Sequence, residues 1–186
     1  KPQIRGRASR SSEGLSVAVY VALLRAVNVV GANKLPMPTL VELCRDAGCE
    51  RVRTYIASGN ALFTSRLGER RIKALLEERL RAHLGKPIGV MVRTGAEIAS
   101  VLAANPYPRH PPDRTVAIFL DGPPPSDTIA TLRGRKGELL ALGAREVYVM
   151  YRDGIAHSRL VIPAAQAGTA RNMNTIGRLA AMADEM

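Results

Sequence analysis

Large aromatic side chains are scarce in this chain of 186 residues, which has no Trp, two Phe and five Tyr. A core must therefore be built from Leu, Val, Ile and Ala. The hydrophobic fraction of 46% is sufficient for one and excludes a globally disordered chain. The length fits one domain of ordinary size or two small domains that share an interface.

Cysteine and histidine are rare as well. Cys44 and Cys49 have no CxxC spacing, and His83, His110 and His157 are scattered along the chain. This pattern provides neither a disulfide framework nor a set of zinc ligands. We therefore expect no metal and no cofactor, and reduced thiols are typical of a cytoplasmic protein.

Long apolar runs and known catalytic signatures are also missing. No run approaches the about 18 apolar residues that a membrane span requires, so no membrane association is predicted. The segment 31–34 is not a P-loop, and Ser58 joins two predicted strands, whereas the serine of a GxSxG motif joins a strand to a helix. The sequence leaves open whether the protein is an enzyme, and it leaves open the oligomeric state.

The charge is distributed unevenly between the two halves. The net charge is +11, of which residues 1–93 carry +10 and residues 94–186 carry +1. Part of the excess lies in residues 1–14, which their Ser, Arg and Gly content predicts to be a flexible basic tail. A basic half is typical of a protein that contacts nucleic acid or another anion, but a coding bias toward Arg explains the charge equally well.

Hydrophobic periodicity predicts an α+β domain over residues 15–93. Apolar and β-branched runs predict strands, helical spacing of apolar residues predicts helices, and Gly or Pro mark their ends. The predicted strands are 17–25, 51–56, 61–64 and 88–92, and the predicted helices are 37–47 and 68–84. The resulting order, β-α-β-β-α-β, is that of a ferredoxin-like domain.

Residues 94–186 are predicted to form a second, smaller α+β domain. The expected elements are a helix at 96–104, a strand at 115–120, a helix at 126–142, a hairpin of 147–151 with 155–157, and a C-terminal helix from about 171. One interpretation of this half is an altered copy of the first unit, although no internal sequence repeat supports it.

The first polar cluster is the segment 25–34, called the first loop below. It contains Arg25, Asn28, Asn33 and Lys34 between a predicted strand and a predicted helix. Its cations and backbone N–H groups suit a phosphate or a carboxylate. Alternatively, the asparagines cap the backbone of the loop itself.

The second cluster, residues 55–60, contains Ser58 and Asn60. Gly59 and Asn60 both tolerate a positive φ, so a hairpin turn is the simpler interpretation and part of a binding site is the alternative.

The third cluster lies at the start of the predicted C-terminal helix. Arg171, Thr175 and Arg178 are spaced to share one helical face, where two arginines at a helix N-terminus would hold an anion. Asn172 and Asn174 lie beside them in the sequence. Capping of the helix by these polar side chains is the alternative explanation.

Taken in order, the clusters resemble a bacterial family known as domain of unknown function 1697. That family's pattern runs close to YIALLRGINVGGxNK, TYIQSGNVVF, SKL and TTRNWNT, with an NPF element between the second and third. The corresponding segments here are 20–34, 54–63, 158–160 and 169–175, with Asn105-Pro106-Tyr107 in place of NPF. The resemblance implies an α+β fold with a ferredoxin-like unit, but no particular activity.

The chain departs from that pattern at Ala26 and Val30, where the family has glycine, and at Met173, where it has tryptophan. A valine at a position of positive φ would strain the first loop. A ligand that stacks on the family's tryptophan would bind this chain more weakly.

The favoured hypothesis is a protein that binds a small anionic ligand where the first loop meets the start of the C-terminal helix. The residues that would supply charge are Arg25, Lys34, Arg171 and Arg178. The residues that would orient the ligand are Asn28, Asn33, Asn172 and Asn174, with Ser58 and Asn60 beside them. The alternatives are nucleic acid bound by the basic first half, with base stacking on Tyr20 and Phe63, and an enzyme of unknown reaction.

Overall fold

The computed structural model describes residues 16–29 and 33–186. The predicted basic tail, 1–14, and Val30 lie outside the described residues. The described chain is a mixed α+β structure with two four-stranded antiparallel sheets, which confirms the predicted fold class. Its helices are α1 (Met37–Asp46), α2 (Glu69–Leu84), α3 (Gly95–Ala103) and α4 (Met173–Asp184).

The first sheet contains β1 (Ala18–Leu24), β2 (Glu50–Tyr55), β3 (Asn60–Ser65) and β4 (Val90–Thr94), in the spatial order β2-β3-β1-β4. Together with α1 and α2, these strands follow the predicted order β-α-β-β-α-β. The assignment to the ferredoxin-like class itself stays a prediction.

The second sheet repeats the strand order of the first. It contains β5 (Thr115–Phe119), β6 (Leu139–Leu142), β7 (Glu146–Met150) and β8 (Thr169–Asn172), in the spatial order β6-β7-β5-β8. In both sheets the last strand continues directly into a helix, β4 into α3 and β8 into α4, and these two helices pack against each other. The two halves therefore share a strand order and a final strand-to-helix step, although α1 and α2 have no helical counterparts in the described second half and the sequences show no repeat.

The buried apolar residues form three clusters, and two of them include residues of β1. In β1, alternate side chains point to opposite faces, as the geometry of a strand requires. Leu24 contacts the layer beneath α1 and α2, whereas Val21 and Leu23 contact the layer that contains α3 and α4. That central layer also includes Phe119 and Tyr148 of the second sheet, so both halves share one core. The division into domains 15–93 and 94–186 stays a prediction.

The predicted helix at 126–142 is wrong. Its last four residues form β6, and the residues before them form turns that contain Gly134 and Gly137 at φ +68° and +100°. A Cβ at Gly134 would lie 2.2 Å from the carbonyl oxygen of Arg159, so a helix with side chains all round does not fit there. An apolar run of four residues is ambiguous between strand and helix until its partner is known.

The hairpin predicted around Asp153 and Gly154 is also wrong. β7 pairs with β5 and β6, and residues Ile155–His157 form a short 3-10 turn. The C-terminal helix begins at Met173, because the four residues before it pair with β5 as β8. Arg171 is therefore a strand residue, and it does not share a helical face with Thr175 and Arg178.

Candidate functional site

Arg171 connects the second sheet to the first. β8 is an edge strand beside β5, and from there the side chain of Arg171 crosses to the end of β1 and to the turn between β2 and β3. Its five N–H groups all have acceptors. These are Oδ1 of Asn60 (2.6 Å), Oγ1 of Thr169 (3.0 Å) and the carbonyl oxygens of Leu24, Ser58 and Ala170 (2.9 Å each).

The charge of Arg171 has no carboxylate partner in residues 16–29 and 33–186, because none of their carboxylate oxygens lies within 4.0 Å of the guanidinium. The side chain is only 9% exposed. Burial lowers the pKa of Arg171 to about 10, so the group is still protonated at neutral pH. A buried cation that is solvated only by neutral dipoles leaves a net positive field around it.

Asparagine side chains shape the first loop. Asn28 donates from Nδ2 to the carbonyl oxygens of Leu35 and Ala57, at 2.7 Å each, and its Oδ1 accepts from the N–H of Leu35 at 2.7 Å. Asn33 donates to the carbonyl oxygen of Ala26 at 2.8 Å. Both asparagines thus bond to backbone groups, as the capping interpretation of this loop expects.

Three residues of the first loop have a left-handed backbone, with φ of +51° at Ala26, +53° at Asn28 and +52° at Asn33. Asparagine tolerates this region, whereas alanine is strained in it. Glycine, the residue of the family pattern at position 26, would adopt this backbone without strain, whereas this chain has alanine there.

The two predicted cations of the first loop are on the surface. Arg25 is exposed, its backbone N–H donates to the carbonyl of Gly89 at 2.9 Å, and its side chain donates to the carbonyl of Gln166. Lys34 is exposed at the other end of the loop. Exposed positive charge therefore lies at both ends of the first loop, and Arg171 bonds to Leu24 directly before it.

The turn between β2 and β3 is built around Gly59 and Asn60. Gly59 has φ +84°, and a Cβ there would lie 2.4 Å from Cγ2 of Val27, so only glycine fits. Asn60 is fully buried and donates to the carbonyl of Tyr55 at 2.9 Å and to Oγ of Ser58 at 3.1 Å. The hairpin interpretation of this cluster therefore holds for the backbone, and Asn60 also anchors Arg171.

The remaining predicted site residues lie on α4 and its cap. Asn172 caps α4 by accepting the N–H of Thr175 at 2.9 Å. Asn174 and Arg178 are exposed, and within the described part of the chain neither makes a polar contact with the first loop.

Arg93 is a second buried arginine, and the sequence analysis did not single it out. It is 2% exposed and donates to the carbonyl oxygens of Leu120 and Arg145, and its guanidinium carbon lies 5.6 Å from the ring centre of Phe119. Burial, and then the charge of Arg145, lowers its pKa. In the sequence, Arg93 stands directly before the helix cap Thr94, just as Arg171 stands directly before the cap Asn172. This shared position is the feature from which Arg93 could have been predicted.

A cavity of about 270 Å³ adjoins Arg93, between α3 and the turn from β6 to β7. Glu97 and Ser100 of α3 line it together with Tyr148. Arg145 closes one side through ion pairs of 2.7 Å to Glu69 and to Glu97.

Neither a metal centre nor a membrane span is evident in the described segments. There, no three His, Cys, Asp or Glu side chains are grouped so that they could hold a metal ion. The helices of the same segments are all too short or too polar to cross a bilayer.

The chain matches a known protein family over most of its length. The family model described as protein of unknown function, DUF1697, matches residues 17–148. The chain belongs to the DUF1697 family. The match includes the first loop, the turn at Gly59 and the Arg93 side of the molecule, but ends before Arg171. No curated protein matches the chain.

The fold of this DUF1697 protein is similar to that of a solved structure, the conserved bacterial protein SP0830 from Streptococcus pneumoniae. The TM-score is 0.73 at 22% sequence identity, over 90% of this chain and 99% of that one. At this identity the likeness concerns the fold alone.

Proposed function

We propose that this protein binds a small anionic ligand over the first loop. The observation that carries the proposal is the buried guanidinium of Arg171, whose acceptors are all neutral. Its charge favours an anion near the surface above it, where Arg25 and Lys34 are exposed.

The residues divide into those that touch the ligand and those that hold the loop. Arg171 has no N–H left to donate, so it acts by its field and by holding Leu24, directly before the loop, and the turn at Ser58. Asn28 bonds to loop backbone and acts in the same way. Arg25 and Lys34 would contact the anion directly, and the hydroxyl of Ser58 accepts from Asn60 but keeps its own proton to donate.

The repeat of the two halves supports a place for Arg178 at the edge of this site. Arg178 lies six residues after the cap Asn172, as Ser100 lies six residues after the cap Thr94. Ser100 lines the cavity beside Arg93. By this analogy we place the exposed Arg178 at the edge of the site, with the exposed Asn174 before it on α4.

Titration calorimetry with sodium pyrophosphate at constant ionic strength tests this proposal. The double variant R25Q/K34Q should weaken binding about tenfold or more, which corresponds to about 1.4 kcal/mol. The control R66Q/R109Q removes the same charge from exposed positions outside the loop and should bind like the wild type. Equal affinity of both double variants, or no binding by the wild type at millimolar pyrophosphate, would contradict the proposal.

The structure does not favour nucleic-acid binding by base stacking. Tyr20 and Phe63, the two rings predicted to stack on bases, are 8% and 0% exposed and pack beneath α1 and α2. The other face of that sheet is covered by α3 and α4. Contact of the basic first half with phosphates, and an enzymatic role, stay hypotheses without an assigned site.

A further inference from the structure

A second polar cavity lies at the far end of β7, away from the first loop. Its volume is about 230 Å³. The residues of its wall that carry the argument are Lys136, Glu138, Tyr151, Arg152, Ser158 and Arg159. The wall includes Ser158 and Arg159 of the Ser158-Arg159-Leu160 motif, which has no role in the proposed function.

Three cations of this wall have no carboxylate partner. Lys136, Arg152 and Arg159 are exposed at the mouth, and no carboxylate oxygen of the described segments lies within 4.0 Å of their charged nitrogens. Gly137, which has φ +100°, lies next to the side chain of Arg152. A Cβ at Gly137 would lie 4.0 Å from Nη1 of Arg152, so the glycine leaves space for the arginine.

Two polar groups at the base of the cavity are more than nine-tenths buried. Glu138 is 6% exposed, and its carboxylate accepts from the hydroxyl of Ser158 and from the N–H of Lys136. The bond from Ser158, with the N–H bond, outweighs burial and lowers the pKa of Glu138, so the carboxylate is ionised at neutral pH. Tyr151 is 7% exposed as a whole residue, and its hydroxyl lies at the cavity wall, where solvent reaches it.

The Ser158 motif explains how this base is held. The hydroxyl of Ser158 donates to Glu138 and accepts the N–H of Leu160 at 3.1 Å. Ser158 therefore has no proton left for a ligand and serves as a positioning residue. The hydroxyl of Tyr151, which lines the same cavity, is accessible to a ligand atom and can donate its proton there.

We propose that this cavity binds a phosphorylated two- or three-carbon alcohol. Three cations at the mouth match a phosphate monoester, and the Tyr151 hydroxyl provides a further donor. The ionised Glu138 repels a second anionic group and accepts a hydrogen bond from a hydroxyl. The cavity of about 230 Å³ has room for a ligand of this size, such as glycerol 3-phosphate.

Titration calorimetry with sn-glycerol 3-phosphate at constant ionic strength tests this inference. The wild type should bind it more tightly than inorganic phosphate, and glycerol alone should not bind. R159Q should weaken binding about tenfold. Y151F removes only the hydroxyl and should weaken binding about fivefold.

Two controls separate this cavity from the first loop and from general attraction to cations. R66Q removes an exposed charge elsewhere, and R25Q/K34Q alters the first loop; both should bind glycerol 3-phosphate like the wild type. Loss of binding in R25Q/K34Q with no loss in R159Q would place the ligand at the first loop and overturn the inference. Equal binding of inorganic phosphate, equal effects of R159Q and R66Q, or no binding at millimolar concentration would overturn it as well.

Discussion

Arg93 and Arg171 occupy equivalent places in the two halves, and each donates to a carbonyl at the end of the other half's central strand. Arg171 of β8 donates to Leu24 at the end of β1, and Arg93 of β4 donates to Leu120 directly after β5. Each arginine also reaches the hairpin turn beside that strand, at Ser58 and at Arg145. The two halves are thus joined by a reciprocal pair of buried arginines.

Replacement of either arginine should destabilise the whole molecule. R93M and R171M keep most of the apolar volume but leave buried carbonyl oxygens without donors, so each should lower the free energy of unfolding by about 3 kcal/mol. Urea denaturation at pH 7 measures the change. R66M, at an exposed position, should stay within about 0.5 kcal/mol of the wild type, and an equally small effect of R171M would refute a structural role for the pair.

Gly59 should tolerate alanine poorly, because both its backbone and its neighbours require glycine. G59A places a Cβ 2.4 Å from Val27 and 2.9 Å from Leu24 at φ +84°, so crowding adds to backbone strain and the cost should be about 3 kcal/mol. G85A is the matched control, because Gly85 has φ +72° and nothing within 4 Å of its Cβ position. It should cost about 1 kcal/mol, and thermal unfolding of both variants isolates the effect of crowding.

The ionisation of Glu97 should make the free energy of unfolding depend on pH in the acid range. Burial raises its pKa, but the hydrogen bonds from Thr94 and the pairing with Arg145 outweigh it, and the net pKa is below 4.5. The carboxylate therefore adds stability that is fully present above pH 4.5 and is lost as the pH falls through its lower folded-state pKa.

E97Q should reduce the free energy of unfolding by about 1 kcal/mol at pH 7, through loss of part of the capping box and of an ion pair partly screened by solvent. Urea titrations from pH 7 to pH 3 should show the two proteins converging on the acid side. A constant difference over that range would show that the charge of Glu97 is not responsible.

Cys44 and Cys49 should be unreactive in the folded protein. Both thiols are buried, and burial raises the pKa of Cys49 to about 12 and that of Cys44 further above its usual value. Ellman's reagent at pH 8 should therefore modify neither thiol in buffer and both in denaturant. Rapid modification of the native protein would mean that α1 opens from the first sheet.

The first half could be predicted from its sequence because its signals are local. The apolar run of β1, the spacing of Leu76 and Leu80 in α2 and the glycine that ends that helix each specify an element without knowledge of its partners. The same holds for the turn at Gly59. These are the elements whose predicted positions agree with the structure to within a few residues.

The second half was predicted less well because its short strands depend on partners distant in sequence. Leu139–Leu142 becomes a strand because β7 is beside it, and Thr169–Asn172 because β5 offers a free edge. A segment of four residues contains too little periodicity to reveal such pairing. The predicted helix at 126–142 failed for this reason.

For the candidate site, the sequence by itself determined which residues are unusual: a loop with two asparagines and two cations, a Ser-Gly-Asn turn, and an arginine beside two further asparagines. Only the tertiary structure decided what Arg171 does. Because β8 joins the edge of β5, Arg171 reaches across to Leu24 and Asn60 and spends every N–H inside the protein. A side chain's hydrogen-bond partners depend on which strands become neighbours, and that pairing is a property of the whole fold.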